Sequence, residues 1–131
     1  MHVEIVWTGN NARNFNYLAV CEATGQALAI DPLDHEKCLG RAREKGWTIA
    51  AVVNTHEHGD HIAGNAATVA ATNAPLITPV GSDDMIPDAT RRVGAGDTIE
   101  FGEEVVDVLH TPGHTMVHIS LMSRDTEPHL L

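Results

Sequence analysis

The sequence is short of cations. Eight Lys and Arg stand against eighteen Asp and Glu, a formal charge of −10. Phosphate backbones and anionic bilayers are gripped by clustered cations, so neither nucleic acid nor a membrane surface is expected as a partner. Aromatic residues are scarce too, at 4% against 43% hydrophobic residues overall, which leaves the core to alanine and the aliphatic side chains. Cysteine occurs only as Cys21 and Cys38, at a spacing that matches no redox or metal motif. Two free thiols, buried or half-buried, are expected, and with them a reducing, cytoplasmic setting. The opening residues MHVEIVW have neither a basic start nor a long apolar core, so no signal peptide is read there. No apolar run approaches the roughly 20 residues of a spanning helix.

Histidine, in contrast, is plentiful, with nine in 131 residues. His2, His35 and His129 are isolated and read as surface residues. The other six fall into two tight groups, and each group directly follows a predicted strand.

The length suits one domain, residues 1–131. Alternation and strand formers predict an antiparallel meander over Val3–Trp7, Phe15–Cys21 and Leu28–Ile30, ending at Asp31-Pro32. Asp34 caps a predicted helix running to about Lys45, with Lys and Arg in its last turn and Gly46 at the stop. Ile49–Val53 is continuously apolar, as a strand buried on both faces would be. An Ala-rich helix over 61–72, a short strand Leu76–Thr78 and an irregular stretch 81–96 follow. A hairpin about Gly102 joins Thr98–Phe101 to Glu104–Leu109, and His118–Met122 is a further strand. Ser123–Pro128 reads as a turn and His129–Leu131 as the start of a strand, so the domain is expected to be C-terminally truncated.

The first histidine group, Thr55-His56-Glu57-His58-Gly59-Asp60-His61, brings three imidazoles and a carboxylate together just after a buried strand. Neutral imidazole and carboxylate are both zinc ligands. In a turn, His56 and His58 can grip one ion, while Asp60 and His61 project toward a second. The second group runs from His110 to His118, and its Pro112-Gly113 turn presents His114 at a strand end. A third imidazole from that distant loop would complete a three-histidine site with an open position, which is the catalytic rather than the structural arrangement. His118 reads either as a residue orienting a ligand or as an ordinary packed or exposed histidine. His110 reads as an ordinary histidine.

His56-Glu57-His58-Gly59-Asp60-His61 resembles the H-x-H-x-D-H motif of the metallo-β-lactamase superfamily. The chain as a whole resembles the glyoxalase II branch, the hydroxyacylglutathione hydrolases. Asn16-Tyr17, Ala29-Ile30-Asp31-Pro32, Thr55 to Asn65, Val93 to Gly102 and Thr111-Pro112-Gly113-His114-Thr115 carry that likeness. The resemblance implies an α/β fold, the αββα sandwich, here mainly its N-terminal half: a mixed sheet with helices on one face. It implies metal ligation by His56, His58 and His114 at one site and by Asp60 and His61 at a second. The ions would be one or two Zn2+, with iron or manganese as alternatives. Asp60 is the catalytic candidate, and Asp31 is implied to lie beneath the metal loop. The implied reaction is hydrolysis of a small glutathione-linked thioester by metal-activated hydroxide. Glu57, Ala63 and Val117 depart from the branch's pattern, and no Gly-Asp segment supplying a bridging carboxylate is present; Asp125 does not qualify. Three other readings stay open: another superfamily hydrolase such as a lactonase or β-lactamase, a persulfide dioxygenase-like enzyme with one iron, and an inactive fragment. With mainly one sheet supplied, its inner apolar face would be uncovered and the chain would self-associate.

Overall fold

The computed structural model describes residues 1–7, 15–32, 35–55, 65–80, 89–110 and 119–124; the side chains at 7, 15, 65, 66 and 110 are not among those described. The candidate ligands His56, His58, Asp60, His61 and His114 lie outside the described residues, as do Asp34, Asp125, His118 and the predicted strand 129–131.

Three antiparallel strands come first: β1 (His2–Trp7), β2 (Phe15–Val20) and β3 (Gln26–Ile30). Helix α1 (His35–Lys45) then carries the chain across to β4 (Thr48–Val53), which pairs parallel to β3. Arg43 and Lys45 place positive charge in the last turn of α1. Gly46 takes a φ of 76°, and the Trp47 N–H returns to the Ala42 carbonyl at 2.8 Å to close the helix end. Helix α2 (Asn65–Thr72) leads to β5 (Leu76–Pro79), and β6 (Arg91–Val93) follows, both parallel to their predecessors. The six strands lie side by side in chain order. A second, antiparallel sheet contains β7 (Thr98–Phe101), β8 (Glu104–His110) and β9 (Ile119–Ser123).

Alternation along the central strands feeds two cores. Ala19, Cys21, Leu28 and Ile30 point one way and meet Ile99, Phe101, Val106, Val108, Ile119 and Leu121 of the second sheet. Leu18, Val20, Ala27 and Ala29 point the other way, toward Leu39 and Ala42 of α1 and Val69 of α2. On β4, Val53 belongs to the first core and Val52 to the second, as a strand buried on both faces requires. Both cysteines are free and buried, as expected.

Two expectations are corrected. The stretch 81–96 is not irregular throughout, because Arg91–Val93 forms edge strand β6. Two arginines in three residues hide it from any hydrophobic pattern. They are there because an edge strand faces water: Arg91 donates to the Thr98 carbonyl at 2.8 Å and Arg92 to Thr78 Oγ1 at 2.9 Å. Nor is the inner face of the large sheet left uncovered. The hairpin β7–β8 and strand β9 form the second layer over it, and Val93, Ile99, Val106 and Leu121 are each at most 1% exposed. That removes the ground on which self-association was expected. The α/β sandwich with helices on one outer face is otherwise as the sequence implied.

Candidate metal centre

Both histidine groups emerge from the carboxyl ends of strands, where α/β sheets place their ligands. β4 ends at Val53 and is followed by Asn54 and Thr55, both buried; His56 is next in the chain. On the neighbouring strand, β3 ends at Ile30, and Asp31 turns with a φ of 49°. Aspartate tolerates this left-handed conformation better than most residues. The turn sends the Asp31 N–H to the Val53 carbonyl at 2.8 Å and its carboxylate over the end of β4. Oδ1 accepts the Thr55 N–H at 2.9 Å, and Oδ2 accepts the Thr55 hydroxyl at 2.6 Å. Asp31 is only 6% exposed, so water competes little for these bonds. A charged acceptor makes them stronger than neutral ones. The root of the first histidine segment is thereby clamped from below. Asp31 is both the turn residue before Pro32 and the residue that tethers Thr55, which directly precedes the first histidine segment.

The second segment is rooted at the same place. His110, the last residue of β8, pairs with Ile119, the first of β9, so the chain from 111 to 118 leaves and returns at one rung of the ladder. The Ile119 N–H also donates to the Thr55 carbonyl at 2.7 Å. The segments bearing His56, His58, Asp60 and His61 on one side and His114 on the other therefore start from a single hydrogen bond. The sequence announced both segments but not their meeting point. Nothing in the pattern around Ile119 signals that its main-chain N–H reaches another strand's end. Thr55 stood inside the motif with no role assigned to it.

Among the described residues no three His, Cys, Asp or Glu side chains gather as a metal site. The candidate ligands on the two rooted segments, His56, His58, Asp60, His61 and His114, are four imidazoles and one carboxylate. That nitrogen and oxygen set suits a divalent ion of zinc's kind. Among the same residues no helix is long and apolar enough to cross a membrane.

A family model described as the metallo-beta-lactamase superfamily matches residues 19–126. A protein named hydroxyacylglutathione hydrolase from Polaromonas sp. is 56% identical over 99% of this chain and 50% of its own length. One of the same name from Nitrosococcus oceani is 48% identical over 99% of this chain, again 50% of its own length. The chain thus spans about half the length of the curated relatives it matches. Among solved structures, ETHE1 from Myxococcus xanthus superposes with a TM-score of 0.83 at 33% identity, covering 95% of this chain and 55% of that one.

Proposed function

Since the chain belongs to the metallo-β-lactamase superfamily, we propose that it carries the principal metal site of a thioester hydrolase of the hydroxyacylglutathione hydrolase kind. The observation that carries the reading is the bond from the Ile119 N–H to the Thr55 carbonyl, at 2.7 Å, which roots two donor-rich segments at one point. The substrate class is supported by the relatives' names: a small hydroxyacyl thioester of glutathione.

In this reading His56, His58 and His114 hold one ion. Asp60 and His61 offer two donors to a second, too few for tight binding by themselves. Zinc suits these donors, with iron and manganese as alternatives. A bound ion supplies Lewis acidity and brings the pKa of water down toward neutrality. Asp60 accepts a hydrogen bond from the attacking water and orients it toward the carbonyl carbon. Asp31, by clamping Thr55, keeps His56 and its neighbours from drifting. The net reaction adds water across the C–S bond, releasing a hydroxy acid and a free thiol. The buried free thiols Cys21 and Cys38 support a cytoplasmic setting.

Elemental analysis of the purified 131-residue chain, paired with release of thiol from a hydroxyacyl-glutathione, tests the proposal. One tightly held ion per chain is expected. His58→Ala removes it and any turnover, while His2→Ala retains it. Equal metal content in wild type and the His58 variant sinks the reading. An iron-loaded chain that consumes oxygen instead would favour the dioxygenase alternative.

A further inference from the structure

Resting on the metal-site reading above, we infer that Thr55 is a positioning residue that couples the two ligand segments to each other. Thr55 has three polar groups within reach of other strands, and each is engaged. Its N–H and hydroxyl both donate to the Asp31 carboxylate, and its carbonyl accepts from the Ile119 N–H. The first pair ties it to the end of β3. The last ties it to the start of β9. At 6% exposure Thr55 is shielded from water that could substitute for these partners.

The consequence for an ion is geometric. Metal–nitrogen bonds tolerate displacements of only about 0.2 Å, so donors on two segments bind tightly only if the roots of those segments hold their relative position. Thr55 sets that position without offering a ligand. Releasing its hydroxyl from Asp31 leaves only the N–H to hold the residue that precedes His56 to β3, and so loosens it. The same release loosens the carbonyl against which Ile119, and hence the His114 segment, is registered. The clamp on β3 therefore acts on His114 through Thr55, although Asp31 and Ile119 share no contact in this chain of bonds.

Zinc affinity, read by competition with a chromophoric chelator, tests this on the 131-residue chain. Urea unfolding of the metal-free protein runs alongside to separate affinity from folding. Thr55→Val, which keeps the shape and deletes the hydroxyl, is expected to weaken zinc by about 10–100-fold, while Thr55→Ser restores it to within about threefold. In a His114→Ala background, measured with a weaker chelator, Thr55→Val costs distinctly less, because one of the two coupled segments no longer contributes a donor. Asp31→Asn loosens the clasp from its other side and serves if the valine variant does not fold; a smaller loss, again reduced in the His114→Ala background, is expected. Wild-type affinity in the valine variant, or equal losses with and without His114, overturns the coupling. A wild-type chain that holds no zinc overturns instead the metal-site reading on which the coupling rests.

Discussion

At the carboxyl ends of β3 and β4 a carboxylate, Asp31, reaches across 24 residues to hold the N–H and hydroxyl of Thr55. At the opposite end of β3 the contact between layers is made by the absence of a side chain. Gly102, at the tip of the β7–β8 hairpin, lies so close to the β2–β3 turn that a Cβ there would stand 2.2 Å from Thr24 Oγ1 and 3.0 Å from Cys21 Sγ. Its φ of 60° is a second reason for glycine. Its N–H donates to Gln26 Oε1 at 3.0 Å, and the Glu103 N–H points to Cys21 Sγ at 3.4 Å. The Thr24 hydroxyl, then that Glu103 N–H, draws the Cys21 thiol below its ordinary pKa. One end is joined by close approach, which holds the two sheets together. The other is joined by directional bonds onto a main chain, which fix where the next residues begin. Stability and positioning are thus assigned to different ends of the same sandwich.

Substitutions that hit one end should leave the other's property intact. The largest effect is expected from Asp31→Ala, which strips both acceptors from Thr55 and puts alanine into a left-handed turn. Metal affinity should fall by about 10–100-fold in chelator competition, with Asp31→Asn falling between it and wild type. Gly102→Ala comes next. It should lower the urea-unfolding free energy by about 1–3 kcal/mol, through the clash with Thr24 and the positive φ, while metal content per folded chain stays at the wild-type level. A Gly102 variant that loses metal as Asp31→Ala does would erase the distinction between the ends.

The smallest effect lies away from both. Glu4 on β1 accepts from His2 Nε2 at 2.9 Å and pairs with Arg41 of α1. The His2 hydrogen bond, then the Arg41 guanidinium, lowers its carboxyl pKa below the ordinary carboxylate value. A depressed folded-state pKa gives stability that is present above the unfolded pKa and lost as pH falls through the folded one. Wild type should therefore exceed Glu4→Gln in urea midpoint at neutral pH, and the two should converge below the ordinary carboxylate range. A gap that persists unchanged into acid would assign the difference to packing.

Much of this was legible in the sequence because the signals were local. The alternation in β1 and β2, the apolar run of β4 and the glycine in the β7–β8 turn each declare an element over a few residues. The histidine spacing marked the two candidate segments in the same local way. What stayed hidden was either too short or too distant. β6 is three residues with two arginines, and an edge strand needs no apolar stripe. The second sheet as a cover for the first is a tertiary fact: Ile99, Val106 and Leu121 announce a buried face but not what they are buried against. Asp31 before Pro32 announces a turn. That the same carboxylate spans to Thr55, and that Ile119 closes onto Thr55 from a different sheet, follows only from how β3, β4 and β9 are stacked.

The strand order of the large sheet has a bearing on how the chain is made. β1 to β6 lie side by side in the order in which they are translated, so each new strand can add to an edge that is already present. No strand must be threaded between two that are already paired. The bond that unites the two histidine segments breaks this pattern, because Thr55 is synthesised long before Ile119 can reach it. A ribosome-bound chain can thus complete its large sheet before Ile119 has been made and the Thr55 carbonyl has met its donor. On the metal-site reading proposed above, capture of an ion at full strength waits until β9 has emerged from the exit tunnel.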